Sequence, residues 1–315
     1  MGLGPVRVAA VDCGTNTIKL LVLEVPAEGG RPVDLVREMR MVRLGQDVDR
    51  TGRLAPEALE RTFAAVEEYA AALAAHDVDR LRFCATSATR DASNAAEFAA
   101  GVEQRLGVRP EVLTGEEEAR LAHAGAVGGL AAAGVAVADP VVVVDVGGGS
   151  TELVLGTGRS VEAADSMDIG SVRLTERHLR SDPPSPAEVA ACVADVDRAL
   201  EASPVAPAAA ATVVGVAGTV TTLAAGVLGL TAYDRDATHG ARLDAADVHR
   251  LCDRLVGMAP EERRDLPWLH PGRADVIGAG ALIVSRVLAR AGARELVVSE
   301  ADILDGIAWD LARGA

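Results

Sequence analysis

Aromatic residues are nearly missing from this chain: three Phe, two Trp and two Tyr in 315 residues, against 49 % hydrophobic residues in all. The core must therefore be built from Ala, Val and Leu, which suits helices packed on a sheet. Cysteine is scarce as well. Cys13, Cys84, Cys192 and Cys252 are far apart and lie mostly in apolar segments. That spacing excludes a zinc set or a disulfide framework and reads as buried, reduced thiols of a cytoplasmic protein. Long apolar runs are absent too. Charge or Gly breaks every Ala/Val stretch before the roughly 18–20 residues of a membrane span. Met1 to Pro5 has neither the basic start nor the apolar stretch of a signal peptide. Positive charge is in deficit, with 31 Lys and Arg against 46 Asp and Glu and a formal net charge of −15. That argues against a general nucleic-acid or membrane-surface binder, which relies on a broad positive field.

What is present is a repeat. Val8-Ala9-Ala10-Val11-Asp12-Cys13-Gly14-Thr15-Asn16-Thr17 and Val141-Val142-Val143-Val144-Asp145-Val146-Gly147-Gly148-Gly149-Ser150-Thr151-Glu152 are built alike. Each is an apolar strand that ends in Asp, turns on Gly and hydroxyl residues, and re-enters an apolar run. Such a turn offers backbone N–H groups and hydroxyls to an anion, while its Asp faces whatever cation accompanies that anion. Two of them in one chain suggest a phosphate chain held from both sides, with a metal between. A polyanion approaching a protein of net charge −15 needs such local compensation.

The length favours two domains. The pattern predicts strands at 6–12, 18–25, 81–85, 111–113, 141–146, 151–155, 160–168, 212–216 and 295–298, with an extended segment at 33–43. Helices are expected at 56–76, 95–106, 115–133, 171–179, 187–202, 245–257, 275–291 and 303–313. Residues 86–94 read as a polar turn, and Gly218-Thr219 as a turn before a short helix. Thr114 with Glu117 forms a capping box. Hairpins open both halves, so the class is α/β with mixed sheets in two pseudo-symmetric domains around a cleft.

The second turn carries the stronger chemistry. A hairpin would return Asp145 and Glu152 to one end of the sheet, and a small oxygen set completed by water and phosphate is what Mg²⁺ prefers. A glycine-rich hairpin with a solvated Asp would carry the same letters. No Gly-Lys-Ser/Thr follows, so this is not a Walker A loop. Asp12 and Asn16 are ordinary turn formers taken alone, and Lys19 could be an exposed strand residue. Arg90, after Thr86-Ser87-Ala88-Thr89, offers a planar fork to phosphate, or pairs with Asp91 on the surface. Of Glu116, Glu117 and Glu118, helix-dipole charge covers Glu116 and Glu117, and one of the three acids is a candidate to point inward as a base. Gly218 and Thr219 form a third strand-to-turn junction suited to a nucleotide or a phosphate. His178, His239 and His270 lack metal-like spacing. Arg173, Arg177, Arg180 and Arg198 are candidates for a basic track, and equally for ordinary surface charge.

In this order, these pieces resemble the exopolyphosphatase / guanosine pentaphosphate phosphohydrolase (Ppx/GppA) family over nearly the whole chain. Thr114-Gly115-Glu116-Glu117-Glu118-Ala119-Arg120, Gly170-Ser171-Val172-Arg173-Leu174-Thr175-Glu176, Pro271-Gly272-Arg273-Ala274-Asp275 and Leu304-Asp305-Gly306 carry the likeness beyond the two turns. The resemblance implies the actin-like ATPase (ribonuclease H-like) fold in its short, two-domain form. Domain I would be 1–125 plus 302–315, and domain II 126–301. By position, Glu118 matches the family's catalytic Glu, and Asp145 with Glu152 its Mg²⁺-holding pair, with Mn²⁺ as the alternative ion and Asp12 as a further candidate ligand. Gly14, Thr15, Asn16 and Thr17 match one phosphate loop, and Gly147, Gly148, Gly149, Ser150 and Thr151 the other. Arg90 matches a phosphate-contacting Arg, and Lys19 stands where Arg or His is frequent. The implied activity is removal of the terminal phosphate of inorganic polyphosphate. Alternatives are hydrolysis of guanosine pentaphosphate, a non-catalytic polyphosphate or alarmone sensor, or a kinase or ATPase of the same fold class. A homodimer is a further expectation from the family.

Overall fold

The computed structural model describes residues 5–26 and 32–313. The leader reading of Met1 to Pro5 therefore lies, apart from Pro5, outside the described residues. The chain divides into two compact units, Met1–Glu117 with Ile303–Ala315, and Glu118–Asp302.

The first unit holds β1 (Val6–Cys13), β2 (Thr17–Val25), β3 (Val33–Met41), β4 (Arg80–Ala85) and β5 (Glu111–Val112) in the order β3-β2-β1-β4-β5. The first three strands form an antiparallel meander, and β4 and β5 extend it in parallel from β1. Helices α1 (Val48–Thr51), α2 (Pro56–Ala75), α3 (Ser87–Arg90) and α4 (Ala95–Leu106) belong to this unit, as does the last helix of the chain, α13 (Ile303–Arg313). Ala9, Val11 and Cys13 share a core with Val66 and Tyr69 of α2 and Phe98 of α4. The helix α13 packs on β1, β2 and β4. With a helix layer on each side, β1 must be apolar at consecutive positions, and Val8 to Val11 are fully buried.

The second unit begins within α5 (Gly115–Ala132). Its sheet, ordered β10-β11-β9-β6-β7-β8, contains β6 (Val141–Val146), β7 (Thr151–Thr157), β8 (Ser160–Met167), β9 (Thr212–Val216), β10 (Arg242–Asp244) and β11 (Glu295–Val298). Helices α6 (Ser171–His178), α7 (Pro186–Ala202), α8 (Ala217–Val227), α9 (Arg235–Thr238), α10 (Ala245–Gly257), α11 (Pro260–Arg264) and α12 (Ile277–Ala291) complete it. The valine run of β6 is again two-sided. Val142 and Val144 join the large core formed with α7, α8, α10 and α12, while Val141 and Val143 pack with Ala119, Ala126 and Leu130 of α5. Because neighbouring strand residues face opposite sides, the run stays apolar without alternating.

Two expectations need correction. Residues 86–94 contain the helical turn α3, because the amides of Thr89 and Arg90 close back on the Thr86 carbonyl. Gly218 and Thr219 are not a turn before a helix but lie in the first turn of α8. Ala217, left-handed at φ 64°, makes the reversal instead, so the helix starts at once after β9.

The contact of α5 with β7 contains a polar orphan. His123 is 1 % exposed and its Nε2 has no hydrogen-bond partner among the described residues. It fits only because residue 156 is Gly: a Cβ there would stand 2.8 Å from that nitrogen. Burial lowers the His123 pKa, against a smaller raising effect of Asp139. The fold thus favours neutral imidazole. Its contribution is fully present above the unfolded value near 6.5, and is lost as pH falls and the unfolded chain takes the proton. His123→Leu is expected to stabilise the protein by about 1–3 kcal/mol and to flatten this acid-side loss. Urea unfolding of both proteins at about pH 8 and about pH 5.5 measures it.

Candidate active site

In the second unit, β6 and β7 pair so that Asp145 lies directly opposite Glu152. Directly opposed residues project to the same face of a sheet, so the turn brings both carboxylates together. Asp145, Glu152 and Glu118 are each less than 8 % exposed. Glu118 arrives from the start of α5, where the capping box is present. The Thr114 amide donates to Glu117 Oε2 at 2.9 Å and the Glu117 amide to Thr114 Oγ1 at 3.2 Å. Glu116 and Glu117 are exposed and Glu118 is buried, so the inward acid of the three is Glu118. The Glu152 carboxyl sits well above the usual carboxylate range, first through burial and then through the Glu118 and Asp145 charges, with hydrogen bonds from Ser166 and Ser150 opposing the shift. Ser166 Oγ reaches Glu152 Oε1 at 2.8 Å from β8.

The turn between these acids has its carbonyls engaged from behind. The Gly147 carbonyl accepts from the Ser171 amide at 2.9 Å, and the Gly148 carbonyl from the amides of Val172 and Arg173 at 2.8 and 3.1 Å. The Gly149 carbonyl accepts from Arg173 Nε at 2.7 Å. Thr151 Oγ1 donates to the Ile169 carbonyl at 2.7 Å, and Thr219 Oγ1 to the Val146 carbonyl at 3.3 Å. Among the described residues, none accepts a hydrogen bond from the amides of Gly148, Gly149 or Ser150.

The first unit repeats this construction with other parts. The Asn16 carbonyl accepts from the amides of Val42 and Arg43 at 3.1 and 2.9 Å, and the Thr15 carbonyl from the Gly45 amide at 2.8 Å. The Gly14 amide donates to the Thr17 carbonyl at 2.9 Å, closing the turn. Thr15 Oγ1 and Ser87 Oγ lie 2.8 Å apart. Lys19, the single lysine of the sequence, pairs with Asp12 at 3.4 Å. Arg90 Nη1 donates to the Leu113 carbonyl at 2.9 Å, which ties α3 to the segment leading into α5.

A model of the Ppx/GppA phosphatase family matches residues 22–313. The chain belongs to that family. Exopolyphosphatase 2 of Mycobacterium tuberculosis is 50 % identical over 97 % of this chain and 98 % of its own. A solved exopolyphosphatase-like protein is 45 % identical with a TM-score of 0.94, covering 99 % of both chains. The Ppx/GppA family member of Aquifex aeolicus is 32 % identical with a TM-score of 0.81, covering 98 % of this chain and 99 % of its own. The fold is the actin-like ATPase fold.

In this Ppx/GppA chain the remaining candidates separate clearly. Gly218 is covered rather than open: a Cβ there would run into the Arg273 guanidinium, whose Nη1 donates to the Gly218 carbonyl at 2.5 Å. Of the proposed basic track, Arg177 and Arg198 both pair with Asp195, at 2.7 and 2.8 Å, beside His178 Nε2 at 2.9 Å. Those two guanidinium groups serve a carboxylate of α7. His239 accepts from the Glu300 amide and His270 from the Gly272 amide. The sequence reading missed Ser166, the bracing segment Val42–Gly45, and the Arg173 contact with the turn. The one signal available for Ser166 was register, since it lies opposite Glu152 across β7 and β8.

Phosphatases of this family generally depend on a divalent metal. The donor set here can be tested against that. Among the described residues no group of three or more His, Cys, Asp and Glu side chains is arranged to hold a metal ion. Asp145 and Glu152 offer hard oxygens only, buried, adjacent and mutually repulsive. Such a pair fits a hard divalent cation that keeps several waters and takes substrate oxygens.

Proposed function

We propose that this protein is an exopolyphosphatase that removes the terminal phosphate of inorganic polyphosphate with the help of Mg²⁺, Mn²⁺ being the nearest substitute. The observation that carries the reading is the buried Glu118, Asp145 and Glu152 set beside a glycine turn with three amides that no described residue engages. The 50 % identity to a protein named Exopolyphosphatase 2 supports it. Asp145 and Glu152 are the residues that would hold the cation, which when bound neutralises charge on the transferring phosphoryl group and the leaving oxygen. The amides of the 147–151 turn bind phosphate oxygens. The first unit carries a phosphate-binding set of its own, the Gly14–Thr17 turn with Lys19 and Arg90, and the Lys19 pairing orients Asp12. Glu118 orients a water for in-line attack on phosphorus and takes its proton at a carboxylate oxygen. No covalent intermediate is required.

Phosphate release from polyphosphate and from guanosine pentaphosphate, with and without Mg²⁺, tests this. Polyphosphate is expected to be hydrolysed only with the cation present, and the pentaphosphate more slowly. Binding of polyphosphate without any cation-dependent release would make the protein a sensor instead. Faster release from the pentaphosphate would reverse the substrate order.

A further inference from the structure

The three glycines of the second turn pose a problem. Peptides flanked by glycine rotate easily, yet an anion site needs its N–H groups already aimed. In a trans peptide the carbonyl of one residue and the N–H of the next point in opposite directions. Fixing the carbonyls of Gly147, Gly148 and Gly149 therefore fixes the amides of Gly148, Gly149 and Ser150. Those are the three amides with no acceptor among the described residues. The start of α6 clamps the first two carbonyls through the amides of Ser171, Val172 and Arg173. This needs a close approach that only Gly170 permits, since a Cβ there would overlap the Gly148 peptide. Among the described residues no backbone amide donates to the third carbonyl, and a side chain holds it: Arg173 Nε at 2.7 Å from the Gly149 oxygen. The Arg173 side chain is 11 % exposed and lies within 3.9 Å of the Asp168 carboxylate, which is 78 % exposed. A charged donor is thus held nearly out of water directly behind the turn.

We propose that Arg173 is the positioning residue of the phosphate turn. It locks the Gly149 peptide so that the Ser150 amide faces the anion, and its charge strengthens that amide as a donor. This rests on the phosphate-binding reading of the turn given above. The test uses the full chain as Arg173→Met, which keeps the stem and removes the donors, and as Arg173→Lys, which keeps the charge. Binding of inorganic phosphate is titrated directly, with KM, kcat and Tm measured alongside. Arg173→Met is expected to weaken phosphate binding by about ten- to a hundredfold and to raise KM for polyphosphate in step. Arg173→Lys is expected to recover part of both. Unchanged phosphate affinity and KM in Arg173→Met would overturn the proposal even if Tm fell, because the contact would then be structural only. Equal losses in Arg173→Lys and Arg173→Met would overturn the role of the charge. A parent protein that binds no inorganic phosphate would overturn the turn as an anion site. A parent that binds phosphate but releases none from polyphosphate would remove the proposed activity and leave Arg173 standing.

Discussion

Glu118→Gln is expected to lower kcat for polyphosphate by about 10²–10⁴-fold, the usual contribution of a general base, with KM within about threefold of the parent. The substitution is nearly isosteric and leaves the capping pair of Thr114 and Glu117 intact. It also removes one of the charges that disfavour the ionised Glu152, so Tm should hold or rise, and lost turnover could not be blamed on lost fold. The neighbouring acid supplies the contrast. Glu117 is exposed and caps α5, so Glu117→Gln is expected to change stability by no more than about 1 kcal/mol and to leave kcat nearly untouched. Single-turnover phosphate release with both variants decides the matter. If Glu118→Gln turned over at the parent rate, the base would have to be sought elsewhere.

That contrast also marks how far the residues alone could be read. Three adjacent acids at a helix start are explained by the helix dipole as well as by catalysis. Family resemblance singled out Glu118, and its burial beside Glu152 gives a physical reason for the choice. The Asp145–Glu152 pairing was legible because a tight hairpin has little freedom of register, and the Val141–Val146 run was legible because a strand covered on both faces must be apolar throughout. The bracing of the two turns was not legible. Arg173 reaches Gly149 only after α6 has docked against the turn through Gly170. Val42 and Arg43 reach Asn16 only after β3 has returned along β2. Each contact depends on tertiary approach, which leaves no period in the sequence. Arg43 and Ala217 both adopt left-handed backbone, at φ 50° and 64°, where local preference favours Gly. A sequence reading has no reason to expect a reversal at either. The three-residue strand β10 shows the same limit, since it is defined by its pairing with β11 rather than by its own pattern.

Combining Asp145→Asn with Glu152→Gln is expected to abolish cation-dependent turnover and at the same time to stabilise the cation-free protein. In the parent, two carboxylates lie opposite each other in a hairpin, both buried, with Glu118 acting on the same group. Without a cation these charges repel in a poorly solvated place. The double amide keeps the shape, and its oxygens still accept from Ser166 and Ser150, so repulsion is removed and packing is not. Each kcal/mol recovered reads as roughly 2–4 °C in Tm for a unit of this size. The parent should close the gap when Mg²⁺ is added, because a cation at about a hundred times its Kd contributes about 2.7 kcal/mol. The double variant should not respond. Its turnover should fall by about a thousandfold or more, since the charge stabilisation a bound cation supplies to the phosphoryl group is several kcal/mol. Thermal melts of both proteins across a Mg²⁺ titration, with the phosphate-release assay beside them, separate the alternatives. A double variant that still gained Tm with Mg²⁺ would place the cation away from this hairpin. One that lost stability without gaining any in the absence of cation would show that the two carboxylates are held by hydrogen bonds rather than poised for a metal.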